Sequence, residues 1–247
     1  MSNFEKSRTF EFSPSNEIIK KSIGWSTKSW FYPFKKVFNE FTLPKKIKVL
    51  ELGAGEYSAI SLLLLSKDTR LDVTTYKESK IAKVELLIDQ INDIKSFKKN
   101  ITVSCMSAKK IVGCYDVIIM KSVLGGIFRL NTSQNNDADN LLKNICENHL
   151  NKNGILISMD NGKTILERLF SNFGARKNDW RYFLPSDFLN ADKKFYFGFL
   201  SNFSFVTRFG KIGHSFDNIL FIIDKFIFRN FKVKKPSIIV SIYQKKV

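Results

Sequence analysis

Cysteine is scarce in this chain: Cys105, Cys114 and Cys146 are the only three in 247 residues, and none belongs to a Cys-x-x-Cys pair. An odd, unpaired set argues against a disulfide scaffold and is expected of reduced thiols in a cytoplasm. With only two histidines beside them, a structural zinc site is not expected and no metal is predicted. Five prolines leave no Pro/Ser-rich linker between two domains. No apolar run reaches the roughly 20 residues of a membrane-spanning helix. The first twelve residues are polar and include Glu5 and Glu11, so a secretory signal is not expected there. Acids are also few, 23 against 40 lysines and arginines, for a formal charge of +17.

What is present suits a large core: 44% hydrophobic residues, 24 of the side chains being phenylalanine. The length fits one large α/β domain or a domain with a small appendage. The charge admits a polyanionic partner such as nucleic acid. It equally admits attraction to an anionic membrane surface, or plain composition, since abundant Lys, Ile, Asn and Phe follow from AT-biased codons.

Short apolar runs alternate with helical stretches. Strands are expected over 47–52, 70–76, 100–105, 115–120 and 154–159, with helices over 55–66, 80–94 and 137–150. The last of these helices is expected to close at an Asn151-Lys152-Asn153-Gly154 stop. That alternation predicts a parallel, doubly wound sheet. Before it, residues 1–44 read as a loose arm and helical material interrupted at Pro33, whose crowded aromatics (Trp25, Trp30, Phe31, Tyr32, Phe34) either pack onto the sheet or form a lid. After it, a strand over 196–205, a helix over 216–231 and a strand over 237–243 complete the chain.

The most telling segment is Lys48-Val49-Leu50-Glu51-Leu52-Gly53-Ala54-Gly55-Glu56-Tyr57-Ser58. A buried strand ends in an acid and breaks into a Gly-x-Gly turn, and an apolar run follows at once. Glycines let backbone approach a ligand closely, and the unpaired amides of a following helix would offer it hydrogen bonds. This segment resembles the first motif, acid-x-Gly-x-Gly, of class I S-adenosylmethionine-dependent methyltransferases. The resemblance spans roughly 45–247. It implies an α/β, Rossmann-like seven-stranded class I methyltransferase sheet with helices on both faces and an antiparallel last strand, 160–235 supplying acceptor-side elements. A dinucleotide fingerprint is the weaker match, because the third glycine is replaced at Ser58.

The resemblance also assigns residues. Glu51, Gly53, Ala54 and Gly55 match the first motif and would face S-adenosyl-L-methionine. The acid that holds the ribose falls nearest Lys77, so Glu78, one residue on, is taken for it. The family's acid near the adenine is replaced by Ser107. Lys121, after the fourth strand, would pair with a carboxylate or reach solvent as an ion-pair, acceptor or cofactor contact, because an unpaired buried charge is costly.

For methyl transfer to oxygen a general base is wanted. His214, read as lying in a loop before the last helix, and Asp160, just past the fifth strand, are the candidates. Nucleobase-amine methyltransferases carry an Asn/Asp-Pro-Pro-aromatic motif after the fourth strand, whereas this chain has Lys121-Ser122-Val123-Leu124. A small-molecule, lipid or glycan acceptor is therefore expected ahead of RNA or DNA, with a non-catalytic binding module as a further alternative. Asn178 to Phe183 and Gly198-Phe199-Leu200 resemble bacterial methyltransferases of such pathways, and Trp180, Arg181 and Tyr182 either wall an acceptor site or pack. On the last helix, an arc at 100° per residue sets Ile219, Ile222, Ile223, Phe226 and Ile227 toward the sheet. Phe221 and Phe228 then fall among Asp217, Asp224, Lys225, Arg229 and Lys232, as ordinary surface or as a face touching an anionic membrane.

Overall fold

The computed structural model describes residues 14–41, 43–44, 46–129, 137–164, 180–200, 210–230 and 233–246; the side chains of 210–212 and 214 lie outside this set. Seven strands form one sheet: β1 (Ile47–Leu52), β2 (Thr69–Thr75), β3 (Ile101–Cys105), β4 (Tyr115–Lys121), β5 (Leu150–Asn161), β6 (Lys193–Phe197) and β7 (Ile238–Gln244). Their order is β3-β2-β1-β4-β5-β7-β6. The first five run parallel, and β7 is inserted antiparallel to both β5 and β6.

Two apolar layers sandwich this sheet because successive strand residues point to opposite faces. On β4, Val117 and Ile119 join one buried cluster. Their neighbours Ile118 and Met120 join the other. Helices α1 (Asn16–Ile23), α2 (Thr27–Phe38) and α3 (Ile81–Asp89) cover the first face, and α4 (Leu124–Ile127) and α5 (Asp137–His149) cover the second. Helix α6 (Gly210–Asn230) packs beside β6 and α2 at the sheet's edge.

Several local expectations are corrected. Pro33 lies inside a continuous α2. The break comes earlier, at Gly24–Ser26, where Gly24 has φ +81° and a Cβ would lie 2.2 Å from the Tyr57 carbonyl oxygen. The helix expected after the glycine turn is only a 3-10 segment, Ile60–Leu64, all of it buried. A run with no polar face has no amphipathic period to lay against a sheet, and here it fills the core. The 151–154 stop belongs to β5, which begins at Leu150. The early part of the strand expected over 196–205 is β6, which starts at Lys193; residues 201–205 lie outside the described set, as do residues 1–13 of the arm.

Candidate active site

Beyond the carboxyl ends of the strands, at the point where strand order reverses between β1 and β4, lies a cavity of about 430 Å³. That position is the usual ligand crevice of an open α/β sheet, and the volume falls in the roughly 300–1,000 Å³ range of small-molecule sites. Strands β1 to β4 contribute their first residues past the sheet. Gly53 follows β1, Tyr76 follows β2, and Met106, Ser107 and Ala108 follow β3; Ser122 and Val123 lead from β4 into α4.

Gly53 has φ +80°, and a Cβ there would sit 2.6 Å from Val123 Cγ2. Glycine is required at this position twice over, by backbone conformation and by space. Gly55 has nothing within 4 Å of a built Cβ, and Ala54 is buried, its amide bonded to the Thr74 carbonyl. Opposite, Trp180 lies flat on α4. A Cβ on Gly125 would be 2.2 Å from its Nε1, and one on Gly126 would be 2.8 Å from its Cζ3. The Gly125-Gly126 pair therefore leaves room for an indole ring that walls the cavity.

Glu51 does not line the cavity. Its two carboxylate oxygens accept the Ile60 and Ser61 amides at 2.9 and 2.8 Å. The helix-start amides expected to face a ligand are thus consumed by the acid that precedes the turn. Burial holds the Glu51 carboxyl above its ordinary value, with the hydrogen bonds from Ser61 and Ile60 opposing. Glu51→Gln keeps one acceptor and turns an amino group toward the second amide. We expect it to cost about 1–3 kcal/mol in urea unfolding, without altering the cavity wall.

Lys121 departs from expectation. Among the described residues its Nζ pairs with no carboxylate, and the residue is buried from solvent; the Nζ sits 3.4 Å from the Trp25 ring centroid and 4.9 Å from that of Trp30. Among the described residues it has no hydrogen-bond partner. Burial lowers its pKa to about 7, and the nearby Glu51 carboxylate opposes that shift. The residues beside the cage are bent: Ser26 has φ 44° and Ser122 φ 53°, both left-handed without being glycine. Such conformations each cost on the order of 1–3 kcal/mol and gather at functional sites.

Asp160 is 1% exposed. It accepts the Leu124 amide at 3.2 Å and the Ser158 hydroxyl, so it caps α4 from behind the cavity wall. Burial raises its pKa to about 6, against those hydrogen bonds. His214 falls within α6, not in a loop before it, and its side chain lies outside the described residues. Glu78 is exposed at the start of a 3-10 turn, two residues past Tyr76. Of the residues singled out from the sequence, the cavity brings together Gly53, Ser107 and Trp180. It adds Tyr76, Met106 and Val123, from segments the sequence placed near the site without choosing these side chains, and Lys109, Ile127 and Arg129, which sequence reasoning passed over. A signal for Tyr76, Met106 and Val123 was available: each stands just past a strand end.

No family model matches the sequence, and no curated relative is detectably similar to it. The fold, however, is widely shared among solved structures. Coclaurine N-methyltransferase, solved with N-methylheliamine and S-adenosylhomocysteine, is 13% identical at a TM-score of 0.54, over 96% of this chain and 83% of that one. A SAM-dependent methyltransferase of Methanosarcina mazei is 14% identical at 0.52, over 83% and 95%. The cyclase SpnF is 12% identical at 0.51, over 82% and 75%. Strand order, the inserted antiparallel β7 and these likenesses agree: the chain has the fold of the class I S-adenosylmethionine-dependent methyltransferases.

Proposed function

We propose that this protein is an S-adenosyl-L-methionine-dependent methyltransferase acting on a small-molecule, lipid or glycan acceptor, at oxygen. One observation carries the reading: the cavity at the switch point, floored by Gly53, a position that admits no side chain, and walled by an indole seated on two further glycines. A fold alone does not fix chemistry, as the cyclase neighbour illustrates.

The residues present fit the adenosyl group in part. Gly53 lets the ligand meet main chain directly, Tyr76 offers a ring face at the rim, and Ser107 offers a hydroxyl. Lys109 and Arg129 suit a carboxylate, such as that of the methionyl end. No Asp or Glu lines the cavity among the described residues, so the ribose hydroxyls depend on Glu78, the first acid after β2. When bound, the cofactor supplies a methyl group already activated on sulfur. The chain's own part is to align the acceptor with it and to exclude water. Trp180 and the Gly125-Gly126 seat serve the second task.

An RNA or DNA acceptor is the second reading, favoured by a basic cleft of about 570 Å³ containing Lys46, Lys48, Lys67, Arg70 and Lys99. That cleft opens at the amino ends of β1 and β2, with a strand length between it and the cavity, ~20 Å at roughly 3.3 Å per residue. The segment after β4, Lys121-Ser122-Val123-Leu124, lacks the proline and aromatic of a nucleobase-amine motif, so the small acceptor is preferred. Incubation with methyl-labelled S-adenosylmethionine and fractions of a bacterial extract separates the two. Label in the lipid, oligosaccharide or small-molecule fraction is expected; label in RNA or DNA would reverse the preference.

A further inference from the structure

Helix α6 is turned around relative to its sequence reading. Phe221 and Phe228 pack inward, with ring centroids 5.8 and 5.6 Å from that of Phe197, and Leu220 is buried with them. Both acids of the helix also face inward: Asp217 is 9% exposed and Asp224 not at all. Asp224 accepts the Phe199 and Leu200 amides, each at 2.8 Å. Of the residues expected against the sheet, Ile219, Ile222, Ile223 and Phe226 stand in solvent instead, and Ile227 is half-buried. Phe216 is 46% exposed, Ile219 53%, Ile222 64%, Ile223 40% and Phe226 63%.

At 100° per residue these five side chains fall within an arc of about 120°, running ~15 Å along the helix. Lone exposed apolar residues are ordinary, but a continuous stripe of five marks an interaction surface. Its charge context selects the partner. With both acids turned inward, the described outer surface of α6 is apolar and cationic. Lys225 and Arg229 are exposed along one border of the stripe, and Lys234 and Lys235 are exposed just beyond the helix. A second copy meeting this face would bring like charges together on a chain of net +17. An anionic bilayer satisfies both features: headgroups for the cations, and the acyl boundary for the apolar stripe. No described helix is long and apolar enough to cross a membrane, so α6 would lie in the interfacial plane.

We propose that α6 docks this protein on anionic membrane surfaces, with Phe216, Ile219, Ile222, Ile223 and Phe226 inserted among the lipids and Lys225 and Arg229 on the headgroups. The inference does not depend on the methyltransferase reading, and its test needs no activity. The full chain is sedimented with vesicles of phosphatidylcholine alone, or with roughly a third phosphatidylglycerol. Binding is expected only to the anionic vesicles and is expected to weaken with salt. Ile222→Asp with Phe226→Asp should lower it at least ~10-fold while leaving the melting temperature unchanged. Arg229→Ala with Lys234→Ala, which spares Lys225 and its place 5.6 Å above the Tyr32 ring, should lower it as well. Three results overturn the proposal. The first is wild-type protein that stays in the supernatant. The second is a dimer in light scattering that the aspartates dissolve, making the stripe a contact between copies. The third is marked destabilisation by the aspartates, meaning the chain itself covers the stripe.

Discussion

Replacing Gly125 by alanine should destabilise the fold by about 3 kcal/mol and open the cavity at its closing wall. The added methyl would lie 2.2 Å from Trp180 Nε1 and 2.4 Å from the Arg181 carbonyl oxygen. The indole can rotate away, but the carbonyl is main chain, and the Arg181 amide is itself bonded to the Gly125 oxygen at 3.1 Å. Relief therefore demands separation of α4 from the segment 180–183. That segment is further fixed by hydrogen bonds between Phe183 and Asn161 and between Lys163 and Phe183. Overpacking of this kind typically costs 1–3 kcal/mol, more where backbone must move. Gly126→Ala is the internal control: its methyl meets only the far edge of the same ring, at 2.8 Å, and should cost about 1 kcal/mol. Urea unfolding of both variants reads the difference, and equal costs would show that Trp180 is not held on α4 as described.

Lys121→Met should stabilise the protein. In the unfolded chain this lysine titrates near its ordinary 10.5, and in the fold near 7. Between those values the unfolded chain binds the additional proton, so native stability rises with pH from about 7 to about 10.5 and the penalty is constant below that window. The gap sets an upper bound of about 5 kcal/mol, and the two indole faces, of the buried Trp30 and the half-exposed Trp25, favour the ammonium and return about 1–2 kcal/mol each. A gain of about 2 kcal/mol near neutral pH remains for methionine, equivalent to ~4–8 °C in melting temperature for a chain of this size. The gain should disappear toward pH 10.5. A variant that is less stable than wild type at neutral pH would mean that the indole contacts outweigh desolvation.

Most of the sheet was legible in the sequence because β1, β4, β5 and β7 each carry a short apolar run, and β1 also carries the glycine turn that locates the crevice. The elements that went astray did so for identifiable reasons. The run from Ile60 to Leu64 is apolar but for a buried Ser61, and such a run carries no period that separates an α-helix from a buried 3-10 segment. Helix α6 has two apolar arcs, and its sequence does not show which one meets the sheet. That was decided by Asp224, which reaches two amides of the 198–200 turn, and by Phe221 and Phe228, which reach Phe197. The candidate site was legible only where backbone carries it. Gly53 announces itself, whereas the seating of Trp180 on Gly125 and the caging of Lys121 by Trp25 join residues 55 and 96 positions apart. At Glu51 the motif was legible but its partners were not: its carboxylate accepts the Ile60 and Ser61 amides of the following segment.

The most direct trial of the central claim is a calorimetric titration of the full chain with S-adenosylhomocysteine, with Gly53→Val in parallel. The account predicts saturable one-site binding by the wild-type protein and none by the variant, whose side chain would enter the space held by Val123. Absence of binding heat at two temperatures, together with an unshifted melting temperature in excess ligand, would contradict it.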